Sequence, residues 1–320
     1  MRPKRADLVA HARASIMRGS KSFGAASRLF DRVTRERAWL LYAWCRRCDD
    51  LADGQDHGRD TRAVADPAAR IAEITAKTET ALAGGTVGDP AFDALGQVAE
   101  EVGLPHGFAR DLIAGFALDA EEWRPRSEND LLRYCYHVAG VVGCMMAVVM
   151  GVAPDDEATL DRACDLGFAF QLGNIMRDLE EDDRADRCYL PLEWLAEMDI
   201  PPGEHMKPWC RERLVVLVGR LGRLAEAHEA SARLGTPALA FRSAWAVLAA
   251  ADIYGGIARK VVALGPHAWD HRVTTSAAQK LAAIARAAGQ ASARSRLYPP
   301  APRDGALWTR PRHASPTATW

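Results

Sequence analysis

Three observations predict an all-α fold for this chain of 320 residues. Side chains recur at the helical period, as in the run Leu160, Ala163, Cys164, Gly167, Phe168, Gln171, Leu172, Ile175. Three breaks end in a capping residue followed by proline at the first helical position: Asp66-Pro67, Asp89-Pro90 and Thr236-Pro237. No convincing alternating strand or short-period repeat intervenes. The reading is one helical domain over residues 1–297, built from about ten helices with several long central ones. A tail, residues 298–320, is rich in Pro, Arg and Ser and is expected to be mobile.

The elements follow in order. Met1 to Gly19 is basic and amphipathic without a continuous apolar core, so no secretory signal is expected. A helix through Trp39, Leu40, Tyr42 and Ala43 runs on to Asp53, and Gly54 to Asp66 breaks it. Asp66-Pro67 opens the next helix, Gly84 to Asp89 ends it, and Asp89-Pro90 and Leu104-Pro105 open two more. After the break Trp123 to Arg126, Ser127 starts another. The uncharged run Val138 to Ala153 has 16 residues, short for a membrane span, and reads as a buried helix. The periodic run from Leu160 follows. Later breaks lie at Pro201 to Gly203 and Gly265 to Thr274.

Hydrophobic residues at 48% allow a sizeable core, and a net charge of −1 gives no electrostatic footprint for nucleic acid. Seven cysteines, an odd number mostly in apolar runs, read as reduced thiols of a cytoplasmic protein. Cys45-x-x-Cys48 has no second pair and no preceding strand, so zinc and redox roles are set aside.

Two copies of one pattern carry the chemistry: Asp49-x-x-x-Asp53 and Asp178-x-x-x-Asp182, whose first residues are 129 positions apart. Four residues make about one helical turn, so each pair projects two carboxylates from one face. Each has an arginine beside it, Arg46 or Arg177. Hard divalent cations prefer oxygen ligands, and Mg²⁺ takes one or two carboxylates and leaves other positions to water and phosphate. The pattern points to a substrate that carries a diphosphate.

Tyr42, Arg46, Asp49, Asp50 and Asp53 share a broad face. Taken alone, they read as a solvated helix end whose Arg–Asp pairs contribute only ~0.3–0.5 kcal/mol each. Gln171, Asn174, Asp178 and Asp182 form a stripe, and the first two lie in apolar sequence, where polar groups need partners. A bound ion or its water would supply them, so the ion site is preferred there over an acidic surface run. Arg187 either closes over a diphosphate or pairs with Asp182 or Asp183, and spacing leaves both open. Gly140 and Gly143 permit tight helix packing, the plainer reading, or leave room for a ligand. Tyr254, on its own, reads as a core tyrosine.

With Lys21-Ser22-Phe23, Tyr42 to Asp53, Tyr134 to Gly143, Gln171 to Asp182 and Arg187 to Pro191, the chain resembles the bacterial phytoene synthases of the squalene/phytoene synthase family. The likeness runs from about Ser15 to about Leu297. It implies an isoprenoid-synthase-like helical domain around a central cavity. It implies that two geranylgeranyl diphosphates condense head-to-head through a cyclopropyl (prephytoene) diphosphate to phytoene, in carotenoid biosynthesis. Asp49, Asp53, Asp178 and Asp182 would be the ligands of Mg²⁺ or Mn²⁺, and Tyr42 and Arg46 would act with them. Arg177 and Arg187 would meet the diphosphate. Ser22, Phe23, Tyr134, Val138, Gly143, Gln171, Asn174 and Tyr254 would contact the rest of the substrate. No NADPH is expected. Two positions depart from the broader family: Val141 stands where many members have Thr, and Ala185-Asp186-Arg187 lacks a usual glycine.

The implied partners are prenyl diphosphates, not nucleic acid. Peripheral membrane contact through the basic N-terminus, and association with other carotenoid enzymes, are further expectations of a cytoplasmic enzyme. Alternatives stay open: a squalene or dehydrosqualene synthase using farnesyl diphosphate, a chain-elongating prenyltransferase, or a non-catalytic helical assembly protein. The last would be expected to lose metal carboxylates, and all four remain.

Overall fold

Capping residues set most of the helix starts where the sequence places them. In the computed structural model, which describes residues 3–19, 24, 26–54, 66–121 and 123–313, the Asp66 side chain accepts from Ala69 N and Asp89 accepts from Ala91 N. Ser127 closes a reciprocal capping box with Asp130. Each such cap satisfies an N–H that the first helical turn leaves without a partner. Thr236-Pro237 is the exception. It forms a single 3₁₀ turn, Thr236–Ala238, with the Thr236 hydroxyl donating back to Arg233 O. The helix begins only at Phe241. All regular structure among the described residues is helical.

The described residues divide into two compact units. The first comprises residues up to 121, 144–160 and 311 onward. It holds α1 (Arg5–Gly19), α2 (Arg32–Asp53), α3 (Pro67–Leu82), α4 (Pro90–Val102) and α5 (His106–Ala120). Here α1 packs on α2 and α4, and α3 on α4 and α5. Leu8, Ala12 and Ile16 of α1 join Leu40, Leu41 and Trp44 of α2 and Phe92 and Leu95 of α4 in the core. Full burial of each large side chain contributes roughly 1.5–3 kcal/mol. The apolar stripe of α1 is thereby used inside the protein. Buried Trp44 donates its indole N–H to Thr78 at 3.2 Å, which satisfies both polar atoms.

The second unit comprises residues 122–143 and 161–310. Its elements come from α6 (Glu128–Val149), α7 (Glu157–Arg184), α8 (Leu192–Glu197), α9 (Arg211–Arg233), α10 (Phe241–Leu264), α11 (Ala277–Ser292) and α12 (Arg294–Leu297). Here α10 packs on α9 and α11. Small residues let α6 and α7 cross closely: a Cβ on Gly143 would lie 2.2 Å from Ala163 O, and one on Gly167 2.3 Å from Ala139 O. At this crossing Tyr136–Gly140 takes up a π-helical turn, which the periodicity did not announce. α6 is long and apolar enough to cross a membrane, yet 61% of its most apolar stretch is buried, as in a core helix.

Where composition predicts a mobile tail, residues 298–310 are mostly exposed but anchored at specific points, with Leu307 and Arg310 buried. Arg310 is 3% exposed and pairs with Asp161 at 3.0 Å, and Arg303 reaches fully buried Asp165. Specific partners overcome the polar composition. Residues 314–320 lie outside the described residues.

Candidate active site

The first acidic pair sits on the last turns of α2. Asp31 caps this helix at its start by accepting from Thr34 N. Gly54 ends it in the left-handed region, φ 63°, donating to Asp50 O. The helix register places Tyr42, Arg46, Asp49 and Asp53 on successive turns. Arg46 Nη1 donates to Asp49 Oδ2 at 2.7 Å, and its Nε approaches Asp50 Oδ1 at 3.1 Å without hydrogen-bond alignment. Half-buried Tyr42 holds its hydroxyl against the end of α1, where a Cβ on Gly19 would meet it at 2.5 Å. Burial pushes the Tyr42 phenol pKa up.

Asp49 keeps 38% of its side chain exposed, yet its carboxyl is pushed up to about 6. The main cause is the protein mass around it, opposed by Arg46 and reinforced by Asp53, Asp50 and Asp119. An accessible carboxyl that is hemmed in by protein and crowded by other carboxylates is short of positive charge. A hard cation would relieve that repulsion, and oxygen donors one turn apart suit Mg²⁺ or Mn²⁺. Among the described residues, no three acidic, His or Cys side chains are grouped to hold a metal by themselves. The neighbouring Cys45 and Cys48 are free thiols. Burial pushes Cys45 up to about 12 and Cys48 well above its usual value, against thiolate chemistry.

The second pair sits near the end of α7. Arg177 grips both oxygens of Asp178, donating from Nε to Oδ1 at 2.7 Å and from Nη2 to Oδ2. Burial opposes the Arg177 charge, but Asp178 holds its pKa above the usual value. Sequence reasoning missed a further partner. Arg272, in the break before α11, approaches Asp178 Oδ1 at 2.8 Å and donates to Glu181 Oε1 at 2.9 Å. Its only signal was a basic residue inside a predicted loop. Asp182 is half-buried, and its carbonyl accepts from Arg187 N at 2.8 Å, while the Arg187 side chain is exposed. Gln171 and Asn174 are partly each other's partners, at a long 3.5 Å.

The missing family glycine has a structural counterpart. Asp186 adopts φ 55°, a conformation that favours glycine but that aspartate tolerates. Arg124 secures it with bonds to its carbonyl at 3.1 Å and its carboxylate at 3.0 Å. His205, also missed, is 1% exposed and lies 3.6 Å from Asp183 Oδ1, with neither ring nitrogen hydrogen-bonded. Burial pushes its pKa down.

The apolar side of the expected site is placed as follows. Tyr134 is 3% exposed and stands between Trp123 and Tyr189, with ring centroids 5.8 and 4.8 Å away. Tyr254 is half-buried beside Phe170 at 4.5 Å. Val138 is partly accessible on the π turn. Gly143 makes the close helix crossing, so the tight-packing reading describes its surroundings. Ser22 and Phe23 lie outside the described residues. Tyr42, Arg46, Asp49 and Asp53 therefore belong to the first unit, and the remaining described candidates to the second.

Comparisons with known proteins bear on the family of the chain. A model of the squalene/phytoene synthase family matches residues 16–300. The chain is 48% identical to the 15-cis-phytoene synthase of Enterobacter agglomerans, over 92% of this chain and 99% of that protein. It is 45% identical to the 15-cis-phytoene synthase of Pantoea ananas, over 95% and 98%. Among solved structures, a dehydrosqualene synthase in complex with ligand superposes with a TM-score of 0.80 at 26% identity, over 90% of this chain and 98% of that one.

Proposed function

The chain belongs to the squalene/phytoene synthase family, and on that premise we propose that it condenses two geranylgeranyl diphosphates head-to-head to phytoene. The observation that carries this reading is the 48% identity to a 15-cis-phytoene synthase across 92% of the chain. The chemistry of the site supports it. Proteins of this family process prenyl diphosphates, generally with divalent metal. Asp49 and Asp53 on one helix, and Asp178 and Asp182 on another, would hold Mg²⁺ or Mn²⁺, which neutralises developing diphosphate charge when bound.

The protein's own groups would act as follows. Arg46 and Arg177 orient the leading carboxylates through their hydrogen bonds. Departure of diphosphate from one substrate leaves an allylic cation, and the 2,3 double bond of the other substrate attacks it. Loss of a proton gives a cyclopropyl diphosphate. A second loss of diphosphate, rearrangement and loss of a further proton give the C40 hydrocarbon. No reductant enters this balance. Apolar side chains of α6 and the rings of Tyr134 and Tyr254 would keep water from the cations and face their charge. We place the enzyme in the cytoplasm, in peripheral contact with the membrane that takes up its insoluble product.

The test is direct. Purified protein with Mg²⁺ and equal C15 and C20 diphosphates should yield chiefly the C40 hydrocarbon by mass spectrometry, unchanged by NADPH. A mainly C30 product would replace the phytoene reading with a dehydrosqualene or squalene one.

A further inference from the structure

Asp165 lies on α7 and is fully buried. It accepts from Ser231 Oγ at 2.5 Å and bonds His228 Nδ1 at 2.8 Å, both from α9. Arg303 closes on both its oxygens, from Nε at 2.8 Å and Nη2 at 2.7 Å. Burial works to raise this carboxyl, but these partners hold it below the usual range. A buried carboxylate needs such partners, and a two-pronged arginine fixes the angle as well as the distance of its approach. The segment that supplies Arg303 is anchored at both ends. Arg162 donates to Ala301 O at 2.5 Å, and Arg310 pairs with Asp161.

The geometry then leads to α6. Arg303 Nη2 also donates to Trp308 O at 2.8 Å, which fixes that residue's backbone. The Trp308 ring lies 5.5 Å from Tyr136 and 5.5 Å from Phe168, and its indole N–H donates to Asn129 Oδ1 at 2.9 Å. Tyr136 is the first residue of the π turn. The turn has little slack on its other side, because Ala139 and Gly140 press on Gly167 and Cys164.

We infer that residues 301–310 form a strap that fixes the π turn, with Arg303 and Trp308 as positioning residues for the condensation. This rests on the reading of Val138 and its neighbours as part of the prenyl channel. None of the strap contacts named above reaches an acidic pair, so it should govern how the chains lie rather than how the diphosphates bind.

Hydrogen exchange and steady-state kinetics on the full-length protein, for Trp308→Ala, Trp308→Phe and Arg303→Gln, test the strap. Trp308→Ala should speed exchange at amides 136–140 by about tenfold or more, with α10 and α11 unchanged. It should lower kcat roughly tenfold while KM moves less than about twofold, since misplacement costs chemistry before binding. Trp308→Phe keeps a ring against Tyr136 and should stay within about twofold of wild type. Arg303→Gln should resemble Trp308→Ala; if it does not fold, Trp308→Ala decides alone. Unchanged exchange at 136–140 in folded Trp308→Ala would overturn the strap, as would a lower Tm with kcat intact. If the wild type makes no hydrocarbon, the synthase reading falls, and the exchange result still decides the strap.

Discussion

α2 and α7 carry the same Asp-x-x-x-Asp spacing and treat its leading carboxylate in opposite ways. Asp49 has one arginine, shared with Asp50, and burial, reinforced by three nearby carboxylates, raises its pKa. Asp178 has both oxygens gripped by Arg177, and Arg272 reaches it from a loop. Spacing sets which side chains share a face. The supply of positive charge also depends on a neighbour distant in sequence, Arg272. One motif is therefore short of positive charge and the other already has it, which predicts different consequences for the same substitution.

The largest effect should be common to both motifs. Chelation with EDTA should bring turnover to background, and Mg²⁺ or Mn²⁺ should restore it. Asp49→Asn and Asp178→Asn should each lower kcat by ~10²–10³-fold, since a cation's neutralisation of leaving-group charge is worth several kcal/mol. Circular dichroism should show the helical content retained. Wild-type turnover in either variant would make that motif an ordinary solvated helix face.

Stability should separate them. A carboxyl raised to about 6 supports the folded metal-free protein only while protonated. That contribution is present below the ordinary value near 3.8 and is lost as pH rises through about 6. Asp49→Asn should therefore raise the Tm of metal-free protein at pH 7, by about 2 °C after allowance for solvent screening. The gain should vanish by about pH 4, where Asp49 itself is protonated. Asp178→Asn should lower Tm, because Arg177, 15% exposed, loses a two-point partner. Equal shifts of the same sign would erase the distinction between the motifs.

Much of this was legible in the sequence where the cause is local. Asp66, Asp89 and Ser127 cap helices because their side chains reach N–H groups two or three residues on. The acidic pairs were legible because helical spacing alone puts them on one face. Arg272 was not, since a loop residue's partner 94 positions away leaves no periodic trace. The π turn was not, because its apolar sequence suits an ordinary helix equally well. The anchored segment 298–310 was misread because Pro and Arg are counted as solvent-facing until a buried partner such as Asp165 is known. Thr236-Pro237 has the composition of a helix start, but its hydroxyl bonds backwards, and the chain turns once before α10 begins.

The smallest expected effect is the most discriminating. Arg46→Gln removes the cation that holds Asp49 down, so its pKa should rise further above 6. The acid limb of the rate profile should then move to higher pH. Arg272→Gln should leave that limb in place, because Asp178 keeps both bonds from Arg177. The Arg272 side chain is 49% exposed, and pairs so open to water contribute about 0–1 kcal/mol. Its loss should therefore cost no more than about fivefold in kcat/KM, mostly through KM. A loss nearer a hundredfold would mean that the second motif depends on its loop arginine as the first depends on Arg46. The two helices would then be electrostatically alike, and the contrast drawn from their hydrogen bonds would fail.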